Sequence, residues 1–164
     1  MTAYDPSQWS ELFVATAGAT AALAGLVFVA VSINIERILE FPGLPERALE
    51  TLLFLVSVLL VSIVGLIPGQ SHVALGAELL FVSLSIGAAI TRLPTIQATT
   101  GEEPRLWVWS RWTVRLAATV PLVVGGASVF LESGGGLYWV VAGIVFAITG
   151  AVASAWVLLV EILR

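Results

Sequence analysis

A chain of 164 residues that is 59% hydrophobic and 11% charged, with a mean hydropathy of +1.03, is not the sequence of a soluble globular domain. Soluble domains carry about 25% charged residues, and a fold this small leaves much of its surface outside, where so much apolar area has no place in water. The absence of cysteine excludes disulfides, thiolate metal sites and a cysteine nucleophile, and the net charge of −4 speaks against a nucleic-acid partner.

The opening segment "MTAYDPSQWSELF" has no positive region and carries Asp5 and Glu11, so it does not read as a cleavable signal. The first apolar run is expected to stay in the mature protein. Five runs follow that approach the 20 or so apolar residues a bilayer crossing needs. Their expected limits are 11–35, 47–67, 72–92, 106–131 and 137–161. All five should be α-helices, since lipid tolerates no open sheet edge and the period-two alternation of a barrel strand is missing. "FPGLP", "PGQSH", "LPTIQATTGEEP" and "ESGGG" separate them as ordinary turn punctuation, with Pro45 and Pro104 suited to the first turn of the next helix.

The arginines set an orientation. Arg37 and Arg47 fall between spans one and two, Arg92, Arg105, Arg111 and Arg115 in or beside the connection from three to four, and Arg164 at the end. All seven lie on one side, which the positive-inside rule places in the cytoplasm, with the N-terminus outside. The most charged stretch, "SINIERILEFPGLPERALE", then reads as a wet cytoplasmic elbow with anionic helix caps, or as a docking patch.

Span one is rich in small residues, with Ala17, Ala21 and Gly25 at four-residue spacing. Gly143, Ala147 and Ala151 repeat the pattern in span five. Such stripes let helix backbones approach closely, within the monomer or against another chain. Pro121 inside span four is expected to kink it as a packing device or a hinge. "RLWVWSRWTVR", with Trp107, Trp109, Arg111, Trp112 and Arg115, reads as an interfacial anchor whose arginines snorkel to headgroups, or as a specific anionic-lipid site.

Glu78 is the one ionisable residue well inside an apolar run. Ser85 lies seven residues on and Arg92 seven beyond, on one helical face. The plain expectation is a hydrogen-bonded structural carboxyl; the sharper one is an ion or proton pathway through Glu78 and Ser85. Glu11, His72 and Glu132 lie on the same outer side and form a candidate acidic vestibule, without metal-ligand spacing. No H-E-x-x-H, G-x-S-x-G or phosphate-cradling loop occurs, and Asp5 is the only aspartate, so no aspartic pair exists. An enzyme is not expected, nor any cofactor or metal.

The stretch "ATAGATAALAGLVFVAVSINIERIL" followed by "PGLPERALETL" resembles a group of small multi-pass membrane proteins of high-GC, actinobacterial-type bacteria. The resemblance covers about 9–70 and implies a multi-pass fold but no activity. The expectation is therefore all-α: one domain over 1–164, a five-helix bundle in a bacterial cytoplasmic membrane. Its expected role is a non-enzymatic membrane subunit or interaction protein, assembling through small-residue helix faces with its own copies or another membrane protein. The alternative is a homo-oligomeric channel or transporter with Glu78 on the pathway.

Overall fold

In the computed structural model, the described backbone covers residues 2–93 and 105–163, with side chains described over 3–93 and 111–160. Six α-helices follow two short 3-10 turns: α1 (Ser10–Ile33), α2 (Ile35–Glu40), α3 (Leu44–Gly65), α4 (His72–Arg92), α5 (Arg105–Phe130) and α6 (Leu137–Leu163). No strand occurs among the described residues. Five of the helices are long and apolar enough to cross a bilayer. They match the five expected runs within a few residues at each end. The connection 94–104, which includes Pro104, lies outside the described residues.

The punctuation works as its residues dictate. Gly43 takes a left-handed φ of 91° before Pro45 opens α3. Ser71 caps α4 by accepting from the Ala74 N–H at 3.2 Å. Asn34 separates α1 from α2, its side-chain amide turning back to the Ala30 carbonyl at 2.9 Å. The elbow expected as a solvated loop thus contains a short helix, whose Ile38 packs with Leu44, Ala48 and Leu158 in a small apolar cluster.

The helix pairing is a ring with one addition. α3, α4, α5 and α6 each pack against two neighbours, in the cyclic order α3–α4–α5–α6, and α1 lies against the outside of α3. The diagonal pair α3 and α5 scarcely touches through its backbone. Burial follows this plan: 56% of the apolar window of α3 is inside, against 11% for α1. Phe54, Leu55, Val58, Val61, Leu75, Leu79, Leu122 and Val140 form the centre of the main core.

Glycines set how closely the ring closes. A Cβ on Gly76 of α4 would lie 2.5 Å from the Phe130 backbone nitrogen, and one on Gly143 of α6 would lie 2.5 Å from the Leu122 side chain. Helix α5 is thus held tightly to both flanking helices. It runs continuously through the buried Pro121.

At one end of the bundle, the N-terminal turns lie over the α5–α6 connection. Tyr4 accepts from the Gly135 N–H, and Trp9 meets Tyr138 edge-on at 4.8 Å. Asp5 caps its 3-10 turn by accepting from the Ser7 hydroxyl at 2.6 Å and the Ser7 N–H at 3.1 Å. The Ser7 hydroxyl bond, then the Ser7 N–H bond, hold its carboxyl below the ordinary range.

Candidate functional site

At the opposite end, three charged side chains meet in the bundle interior. Glu50 lies on α3 and faces α5 across the ring. Arg115 donates from Nε to Glu50 Oε1 at 2.7 Å and from Nη2 to Oε2 at 3.1 Å. Arg111, one turn earlier on α5, donates from Nη2 to the same Oε2 at 3.0 Å. Arg115 is 2% exposed and Glu50 5%. The Arg115 guanidinium also stands 5.6 Å from the Trp112 ring. A bidentate arginine–carboxylate pair is among the strongest charge-assisted contacts. It links α3 to α5, two helices whose backbones make few close approaches.

The stoichiometry is uneven: two guanidinium groups share one carboxylate. Beside them lies a cavity of about 180 Å³, lined by Arg47, Glu50, Arg111, Val114, Gly150, Ala153, Ser154 and Val157. A second void of about 10 Å³ lies deeper, between Phe54, Ser57, Ser83, Ile86 and Thr119, and is of a size for about one water.

The expected interfacial anchor divides. Trp112 is exposed and Arg111 half-buried, but Arg115 is a core residue committed to Glu50 rather than a side chain reaching for headgroups. The cause is simple: a partner of opposite charge stands across the ring at the same depth. Trp107 and Trp109 lie in the first turns of α5, where side chains are outside the described residues.

Glu78 is half-buried and accepts from the Gln70 side-chain amide. Ser85 is exposed. The core face of α4 runs through Leu75, Gly76, Leu79, Ser83, Gly87 and Ile90. The Glu78–Ser85–Arg92 stripe therefore lies on the outward side of the helix, not in the bundle interior. Of the acidic vestibule, His72 and Glu132 meet at 3.1 Å (Nδ1 to Oε1), joining the start of α4 to the end of α5. Glu11 is exposed in the first turn of α1. No three His, Asp or Glu among the described residues group as metal ligands would.

The two small-residue stripes have opposite fates. Gly143, Ala147 and Ala151 are buried, with Ala147 and Ala151 in the main core. On α1, Ala17 is half-buried, Ala21 and Gly25 are exposed, and a Cβ on Gly18 or Gly25 would meet nothing within 4 Å. The contact α1 does make includes a hydrogen bond between the Thr16 and Ser62 hydroxyls at 2.7 Å and the Phe13 ring against Gly65.

Glu50 as the partner of Arg115 is the functional feature that sequence reasoning missed. The available signal was spacing: Glu50 lies about two turns into α3, and Arg111 and Arg115 about two and three turns into α5, two helices that start from the same end. No protein-family model, curated protein or solved structure matches the chain.

Proposed function

We propose that this chain is a multi-pass protein of a bacterial cytoplasmic membrane, with its N-terminus outside, serving as a non-enzymatic subunit that assembles with other membrane chains through α1. The state of α1 carries the reading. Its Gly18, Ala21 and Gly25 are exposed, and among the described residues no atom lies within 4 Å of a Cβ built on Gly18 or Gly25. A helix turned only toward lipid has no need of small residues, whereas close helix–helix approach does. The orientation is supported by Arg37, Arg47, Arg92, Arg111 and Arg115, which all lie toward the end where Glu50 meets Arg115.

The test uses the cysteine-free background. An Ala21→Cys variant should cross-link between chains in native membranes, while Ala147→Cys, buried in the core, should not. A second, independent effect is that Gly25→Leu should abolish the cross-link. Monomeric behaviour of Ala21→Cys at native expression, with no heavier partner band, sinks the reading.

A second reading, a homo-oligomeric channel or transporter, draws on the outward Glu78–Ser85 stripe. It requires copies to meet through α4, so that several Glu78 side chains surround one axis. The unfilled small-residue face is on α1 instead, which is why the subunit reading is preferred. Proton or cation flux into liposomes, lost in Glu78→Gln, would reverse that preference.

A further inference from the structure

We propose that the apolar edge of α2, made by Ile35, Leu39 and the following Phe41, is seated in the headgroup–acyl boundary of the lipid, as an interfacial foot for the α1–α3 hairpin. The proposal rests on the membrane placement given above, but not on its orientation or on assembly through α1.

The sequence of α2 divides by face. Ile35, Ile38 and Leu39 fall at i, i+3 and i+4 and share one side of the helix, and Glu36, Arg37 and Glu40 fill the rest. All three charged residues are exposed. The protein covers only one of the three apolar side chains. Ile38 is buried against Leu44, Ala48 and Leu158, which fixes the rotation of α2. Ile35 and Leu39 are left 43% and 66% exposed at its outer edge, and Phe41, just past the helix, is 45% exposed.

Depth puts that edge at the boundary. From Leu12, the residue after Glu11, α1 runs about 33 Å to Ile33, against a hydrocarbon core of about 30 Å. Helix α2 starts two residues later, past the break at Asn34. Val29 and Ile33 are exposed on the last turns of α1, so the apolar surface continues from the side of the span into α2 instead of stopping at the boundary. The size of the patch selects its occupant. Three side chains are few beside the roughly 20–30 residues a side of a stable protein interface. An apolar edge with charges on the opposite face is the pattern of a helix at a lipid surface. Two carboxylates against one guanidinium give α2 no attraction for anionic headgroups, so apolar burial drives the contact.

The experiment uses the cysteine-free background. Single variants Glu36→Cys, Leu39→Cys, Phe41→Cys and Phe81→Cys carry a nitroxide label in vesicles of phosphatidylcholine, with and without phosphatidylglycerol. Phe81, exposed near the middle of α4, is the control for the membrane placement. The label's collisions with oxygen, which concentrates in lipid, are compared with those with a water-soluble nickel chelate. Leu39→Cys and Phe41→Cys are expected to favour oxygen, less strongly than Phe81→Cys, and Glu36→Cys to favour the chelate. Both lipid compositions should give the same pattern. Chelate-dominated collisions at Leu39→Cys and Phe41→Cys, with Phe81→Cys still favouring oxygen, overturn the foot and leave the membrane placement standing. Poor access of both reagents to Leu39→Cys and Phe41→Cys means that protein covers the edge, which also overturns the foot. Oxygen preference that appears only with phosphatidylglycerol overturns apolar burial as its cause. Chelate-dominated collisions at Phe81→Cys overturn the membrane placement and the foot with it.

Discussion

Glu50 and Arg115 stand 65 residues apart in sequence and meet through two hydrogen bonds across the diagonal of a four-helix ring. A contact of this kind is costly to break from one side, because the remaining charge stays buried. Removing one partner of a buried pair typically costs about 3–5 kcal/mol. Glu50→Gln, which leaves two guanidinium groups facing each other, should lower stability by about that amount. Arg111→Gln should cost less, since Arg115 keeps both of its bonds. Thermal or denaturant unfolding in detergent checks the order; an equal loss in the two variants would contradict it.

The two glycine stripes should separate in the same assay. Gly143→Leu drives new atoms into Leu122, and overpacking of this kind costs about 1–3 kcal/mol or more. Gly25→Leu meets nothing and should leave the monomer's melting temperature within the error of measurement. On the assembly proposed above, its effect is expected only in the cross-link between chains.

On the membrane placement proposed above, the hydroxyl pair between α1 and α3 should be worth little. A double-mutant cycle with Thr16→Ala and Ser62→Ala should return a coupling of about 0.6 kcal/mol, with about 1.7 kcal/mol as the upper range. A coupling near zero would mean that apolar packing, including Phe13 against Gly65, holds α1 without the hydroxyl pair.

The α5–α6 turn should report topology. Gly134, Gly135 and Gly136 all take positive φ, and the Ser128 hydroxyl receives the Gly136 N–H at 2.7 Å and donates to the Ser133 carbonyl. Ser133 itself is exposed. Ser133→Cys should react with an impermeant maleimide on intact cells. Reaction only after permeabilisation would invert the orientation.

His72 and Glu132 invite a smaller expectation. Both are well exposed, so their contact should contribute at most about 1 kcal/mol and weaken with salt. His72→Gln should therefore change the melting temperature only slightly at low salt and not at all at high salt.

Helix existence was legible in this chain because twenty-residue apolar runs have one structural solution in lipid. Helix ends were legible because Pro45, Ser71 and Gly134 speak for themselves. Helix faces were not. In a soluble helix the polar side marks the outside, but on α1 the hydroxyl-bearing Thr16 and Thr20 lie toward α3 while the small apolar Ala21 and Gly25 are exposed, the reverse of that rule. The Gly143–Ala147–Ala151 stripe looked the same as the one on α1, and only the ring showed which of them was already filled. Arg115 was misread for a related reason. An arginine near a span boundary ordinarily reaches for the interface, and the opposing Glu50 sits in a different helix with no local sign of the pairing. The short helix α2 was hidden inside a charged stretch whose charges explain its wet position but not Ile38.

The diagonal ion pair also bears on how the chain is made. Helix α1 is synthesised first yet touches little but α3, so it has nothing to hold until α3 arrives. Glu50 then reaches the ribosome exit long before either arginine that compensates it. Until α5 follows, the start of α3 carries a carboxylate whose final position is too dry for it alone. On the membrane placement proposed above, the start of α3 is expected to stay near the headgroups until Arg111 and Arg115 arrive beside it, so that the fourth span sets the depth of the second.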